Sequence, residues 1–390
     1  MGEGRREITE AERAYAAKRN RRRLGCVGFA IVLGLLLPEV LVRWMLFGSS
    51  ELAESYGAEL RDPGLYADPL LDTEYWTLRH ALGMDLIAQS AENHHPELGW
   101  RPRMLDAETL RHRDEEHLDG RRPILLYGAS YASCVTPHIE CFQGLLEASN
   151  LSDEYCLLNY GCGGYGIDQV YLLMRATLDL YADLDPIVVV LPVLDSDFER
   201  SSLDFRSLPK PRLELVDGEL RHMGPVPSGG ADAYLRERGI GITSYAWAYL
   251  THAETQLPGT WRNWLQDREA RLDEQFELIE AILDGIEEEL VQRDFDHVYL
   301  LATSPRGLPP KPIPRMEARV TERMRDLGLP FLLLRPYVAD ALEHLDGDMS
   351  LVFLPEGTGK HHPTPLGNRV LFEALKDGLD GRYWNAVSDE

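Results

Sequence analysis

Apolar positions along the chain fall into three regimes. Residues 1 to 23 mix charges of both signs and end in Arg19, Asn20, Arg21, Arg22 and Arg23, whereas Leu24 to Leu37 carries no charge. That uncharged stretch is shorter than the roughly 20 residues needed to cross a bilayer, but it continues through Pro38 and Glu39 into VLVRWMLF. Glu39 and Arg43 are four apart on one helical face, where they can pair or snorkel toward headgroups, with Trp44 as an interfacial ring. A transmembrane helix over 24–47 is expected. From 48 to 102 no long period holds, and DPGLYADPLLD, TLRHALGM and HHPELGWRP read as a stalk and lead-in.

In the third regime, 103–390, apolar runs alternate with amphipathic stretches. Ile124 to Tyr127, Tyr155 to Asn159, Ile187 to Val193, Val298 to Ala302 and Phe331 to Leu334 read as strands. Asp273 to Gln292 reads as a helix with Phe276, Ile279, Ile282, Leu283 and Ile286 on one face. Strands that are apolar throughout need cover on both faces, so the pattern predicts an α/β class domain: a doubly wound parallel sheet flanked by helices. An insertion at about 198–264, containing KPRLELVDGEL and GPVPSGG, is expected to wall a cleft over the carboxyl ends of the strands, where open sheets bind ligands.

Charge sharpens this picture. Lys and Arg number 40 against 64 Asp and Glu, a net of −24, and such a surface repels phosphate backbones; nucleic acid is not an expected partner. Residues 1 to 23 carry +4, leaving −28 for the remainder, and five basic residues lie within positions 18 to 23. By the positive-inside rule the N-terminal segment 1–23 is cytoplasmic and the acidic bulk extracytoplasmic, giving a single-pass protein of the cell membrane. A buried core helix and a cleavable signal peptide are the competing readings; the latter would need an unusually long n-region. Five cysteines without a CxxC pair exclude a zinc ribbon and a thioredoxin-like motif. Cys26 lies in the apolar run. Cys134, Cys141, Cys156 and Cys162 are read as buried free thiols, although outside the cytoplasm two bridges are permitted in any of three pairings.

Four groups of residues could carry chemistry. Gly128-Ala129-Ser130 follows the first strand, where a Ser can present its hydroxyl at the cleft or cap a helix. Asn159-Tyr160-Gly161-Cys162-Gly163-Gly164-Tyr165-Gly166 follows the second. Its glycines free backbone N–H groups to point into a cleft, as an oxyanion hole needs, and Asn159 can brace the loop. It lacks the Lys of a P-loop, and Tyr165 stands where GxGxxG needs its third Gly, so nucleotide binding is discounted. Asp195-Ser196-Asp197 follows the third strand. His361-His362-Pro363-Thr364-Pro365-Leu366-Gly367-Asn368 precedes a closing helix from Asn368 to Leu375, so a His there can reach a Ser after the first strand. His94, His95, His361 and His362 make a poor metal site, since adjacent side chains diverge; neither metal nor cofactor is expected.

The order of these blocks resembles the SGNH/GDSL hydrolase superfamily, in its membrane-anchored bacterial branch. GWRPR at 99–103, YGASYASCV, NYGCGGYGIDQ, VVVLPVLDSDFERS with KPRLELVDG, and HHPTPLGN occur in the family's order, from about Leu98 to about Leu379. The resemblance implies Ser130 as nucleophile and first oxyanion donor, Gly164 as second donor, and His362 as general base with His361 as fallback. It implies an esterase or acyltransferase acting on an acylated small molecule or glycan, acetyl on an envelope glycan being the example; the oligomeric state is left open. Three positions depart from the family. Ala129 replaces the Asp of the GDS triplet. The block III Asn is replaced within Asp195-Ser196-Asp197, where Ser196 is the best substitute. Gly359 stands where an acid usually orients the His, leaving Glu356 or a backbone carbonyl for that role. These replacements motivate the alternative of a catalytically silent fold that binds a glycan or an envelope partner.

Overall fold

The computed structural model describes residues 10–69, 71–84, 93–194, 196–206, 208–252, 268–308, 313–355 and 360–381. They fall into two compact units, Met1–Ala67 with Gly241–Gln266, and Asp68–Ile240 with Asp267–Glu390.

In the first unit, helix α1 spans Glu10–Phe47 with Pro38 inside it. Its part Cys26–Phe47, 22 residues, is long and apolar enough to cross a membrane. Phe29 and Leu35 are each 70% exposed, and the core helix of a soluble protein would bury such side chains. The expected pair of Glu39 and Arg43 forms, at 2.6 Å. It also serves the helix Tyr245–His252: Glu39 Oε2 accepts from Ser244 Oγ (2.8 Å) and from the Ala246 N–H (3.0 Å). Arg43 donates to the Thr243 carbonyl and lies over the Tyr245 ring. A contact between residues about 200 positions apart leaves no mark in either local pattern.

The second unit is built on five parallel strands: β1 (Arg122–Gly128), β2 (Tyr155–Asn159), β3 (Ile187–Leu191), β4 (Asp296–Leu301) and β5 (Phe331–Leu333). Each strand expected from the sequence forms, in the spatial order β2-β1-β3-β4-β5. Helices on this sheet are α2 (Ser130–Ser133), α3 (Phe142–Glu147), α4 (Ile167–Thr177), α5 (Arg268–Val291), α6 (Arg315–Asp326), α7 (Leu334–Glu343) and α8 (Pro365–Leu379). Alternation along the strands feeds two cores. Leu125, Tyr127, Val188, Val190 and Tyr299 pack with α4, α5 and α6; Ile124, Leu126, Val189, Leu191 and Leu300 pack with α3, α7 and α8. The predicted apolar face of α5 is buried at Phe276, Ile279, Ile282, Leu283 and Ile286. The fold is therefore the doubly wound parallel sheet that the pattern implied. From β1 the chain crosses to β2 on one side and then to β3 on the other, so a crevice opens between the carboxyl ends of β1 and β3.

Two expectations change. The lead-in is more ordered than its lack of period suggests, with helices Glu51–Gly57 and Thr73–Ala81 and a short pairing of His94–His95 with Gly99–Trp100. Leu98 and Trp100 join the core of the second unit; single anchoring residues have no period to detect. Among the cysteines, Cys134 and Cys141 form a disulfide, while Cys156 and the buried Cys162 are free. The expectation of buried free thiols holds for Cys162, holds for Cys156 as a thiol of intermediate exposure, and fails for Cys134 and Cys141.

Candidate active site

Strand β1 ends on Gly128, where a Cβ would collide with the Leu191 carbonyl of β3 and with Ala132. Gly lets the two strand ends close up and turns the chain into α2. Ala129, fully buried, takes the cap position, with no side-chain cap bond, and Ser130 is the first helical residue. Ser130 is thus not the capping serine that its place in the sequence allowed. It lines a cavity of about 320 Å³ at the β1/β3 crevice.

The glycine-rich loop after β2 is braced from two sides. Asn159 Oδ1 accepts the Gly161 N–H (2.8 Å), and its Nδ2 donates to the Ala132 carbonyl of α2 (2.7 Å) and to Gln143 Oε1 (3.1 Å). From the lead-in, Trp100 Nε1 donates to the Gly163 carbonyl at 3.3 Å, and the Tyr165 hydroxyl donates back to the Trp100 carbonyl. The GWR element therefore supports the site loop. Gly164 has φ +87°, a left-handed conformation that disfavours side chains, and a Cβ there would meet the Arg206 guanidinium. Gly164 is not among the residues lining the cavity; its neighbour Arg206 is.

After β3, Ser196 lines the cavity, and its hydroxyl donates to Asp197 Oδ1 at 3.1 Å. Asp197 is buried; its Oδ2 accepts the Val193 N–H (2.8 Å) and its Oδ1 pairs with Arg200 (2.8 Å). That carboxylate is neutralised within the protein. Asp195, Glu356 and Gly359 lie outside the described residues.

His361 and His362 line the same cavity. They sit on a turn closed by hydrogen bonds between Leu354 and both residues, each 2.8 Å, next to a bridge of Phe353 with Pro363. Capping of α8 falls to Thr364, whose Oγ1 accepts the Gly367 N–H at 3.1 Å, and not to a histidine. Tyr131 joins this turn to α2: its hydroxyl donates to the His361 carbonyl at 2.8 Å, and its ring lies 5.9 Å from that of His362.

The structure thus brings Ser130, Ser196, His361 and His362 to one cavity. Sequence reasoning missed Tyr131, Trp76, Arg200, Arg206 and Lys360 in its lining. Tyr131 was signalled only by adjacency to Ser130, and Arg206 lay in the insertion without a motif. Behind the cavity, Asp168 and Lys210 form a fully buried ion pair at 3.1 Å. Burial pushes the carboxyl up and the amine down, while each partner opposes the other's shift.

No protein-family model matches the sequence, and no curated protein matches it. Among solved structures the chain is similar to Axe2, an acetylxylan esterase from Geobacillus stearothermophilus, at 13% identity over 66% of this chain and 94% of that one, TM-score 0.36. It is similar to a member of the lipolytic G-D-S-L family from Veillonella parvula, at 11% identity over 65% and 97%, TM-score 0.33. TesA shares 15% identity over 66% and 98%, TM-score 0.34.

Proposed function

We propose that this chain is an SGNH-like serine hydrolase, anchored by α1, that cleaves or transfers an acyl ester. The observation that carries the reading is the meeting of Ser130 with His361 and His362 in one cavity at the switch point of the sheet. In this mechanism His362, or His361 in its place, takes the Ser130 proton as Oγ attacks the acyl carbonyl carbon. The C–O bond to the alcohol breaks, and the alcohol leaves with that proton. Water or a second alcohol then attacks the acyl-serine, giving its proton to the same imidazole, which returns one to Ser130 as the acyl group departs. The Ser130 and Gly164 N–H groups are the proposed oxyanion donors. The proposed third donor, Ser196, already donates to Asp197, so it would have to reorient. Loss of one donor costs about 10² to 10³ in rate in other serine hydrolases, which predicts a slow enzyme.

We place the α/β unit outside the cytoplasm. The basic residues before Leu24 and the Cys134–Cys141 disulfide both support that orientation. A serine-reactive fluorophosphonate tests the chemistry on the detergent-solubilised full chain: labelling at Ser130 and loss of aryl acetate turnover in Ser130→Ala are expected. A folded wild-type chain that neither labels nor turns over acetate refutes it and leaves the catalytically silent binding fold.

A further inference from the structure

The lining of the cavity is basic in an acidic protein. Arg200, Arg206, Lys360, His361 and His362 contribute to it, and among the described residues no Asp or Glu does, although the chain carries −24. Arg200 is paired with Asp197. Arg206 is different. Its Nε is shut off from solvent and has no hydrogen-bond partner among the described residues. Its guanidinium lies over the Trp76 ring at 4.7 Å. Burial, with Arg200 and Arg79 nearby, presses its pKa well below the ordinary range against the opposing pull of Asp197. An arginine does not relieve such a cost by losing its proton, and an aromatic face replaces only part of a counter-ion. Among the described residues, the cavity lining holds cationic charge that no carboxylate of the lining offsets. A group that brings negative charge gains the attraction of that cationic charge, whereas a neutral group does not.

We propose that the cavity takes an ester bearing an anionic oxygen group, carboxylate or phosphate, seated on Arg206 with Lys360 at the mouth. This deepens the esterase reading and rests on it. The anionic group sits on the same molecule as the ester, because Arg206 and Ser130 line one space of about 320 Å³, which has room for a single ring-sized substrate. Lys360 is exposed and acts at longer range, drawing the anion in at low ionic strength. Arg206 fixes it, since its planar fork matches both carboxylate and phosphate.

Three acetates that differ in one substituent test the proposal on the full chain in neutral detergent: 4-acetoxybenzoate, 4-acetoxyphenyl phosphate and the neutral 4-acetoxybenzamide. At least one anionic acetate is expected to exceed the amide in kcat/KM by tenfold or more. That preference should shrink as NaCl is raised, be lost in Arg206→Gln, and shrink by a smaller factor in Lys360→Gln. The better of the two anions identifies the group. Equal Ser130-dependent turnover of all three overturns the anion site and leaves the esterase reading standing. Calorimetry with benzoate, phenyl phosphate and benzamide reads binding apart from chemistry. An anion that binds wild type and not Arg206→Gln, with benzamide not binding, supports the site even if no acetate is cleaved. Absence of binding by either anion, together with no anionic preference in turnover, refutes it. Lys360→Gln, at an exposed position, supplies the same comparison if Arg206→Gln does not fold.

Discussion

Replacing Tyr131 with Phe tests whether the turn carrying the histidines is held to the helix carrying the serine. Tyr131 is 5% exposed, and its hydroxyl donates to the His361 carbonyl at 2.8 Å, across 230 residues of sequence. The variant keeps the ring beside His362 and deletes one partly buried hydrogen bond, whose net worth is about 1 kcal/mol. For a unit of this size that lowers Tm by roughly 1.5 to 2 °C. If the bond does no more than add to global stability, kcat is unaffected at temperatures where both proteins are folded. If it holds the imidazole over Ser130, as proposed, up to the same 1 kcal/mol appears in the barrier, a fall of about fivefold in kcat with KM little changed. Calorimetric unfolding and aryl acetate kinetics across pH, on the same preparations, separate the two. Lowered Tm with an unaltered kcat and pH profile would refute the positioning role. An unchanged Tm would deny the hydrogen bond itself.

Other consequences are as direct. Gly164→Ala forces a side chain into φ +87° and against Arg206, and should cost about 1 to 2 kcal/mol in urea unfolding together with most of the turnover; Ala tolerated on both counts would remove Gly164 from the site. Lys210→Met strands the fully buried Asp168 and should destabilise by about 3 to 5 kcal/mol, whereas adding Asp168→Leu should recover most of the loss; a double variant no better than the single one would show that the pair is not what matters. The N–H of Thr109, its hydroxyl and the N–H of Glu108 hold the Asp106 carboxyl at about 2, below its ordinary 3.8. A depressed carboxyl stabilises above its unfolded value and loses that contribution as pH falls from about 3.8 through about 2, so NMR titration of Asp106 should show a midpoint near 2 and Asp106→Asn should flatten the stability profile in that window.

How far the sequence could be read depended on where each signal lives. The five strands and α5 were legible because burial on both faces of a sheet, or on one face of a helix, writes its period into consecutive residues. That Ser130 and the histidines line one cavity was legible because a doubly wound fold puts whatever follows its strands at one edge, so position in the strand order substitutes for distance. Arg206 was not, because no spacing in a sequence records that a guanidinium lies beside other cations with its Nε enclosed and, among the described residues, unpaired. Trp100 was read as part of a stalk because one indole that anchors a loop by a single hydrogen bond to Gly163 makes no pattern. The same reasoning bears on the three positions that differ from the pattern of the family the chain resembles. The small buried Ala129 loses the usual bracing carboxylate, yet Asn159 ties the glycine loop to α2 through the Ala132 carbonyl, and Tyr131 ties α2 to the histidine turn. Both ties run to backbone carbonyls, so neither depends on the identity of the residue that accepts. Loss of a family's signature side chain is therefore weaker evidence against activity than loss of the geometry it served.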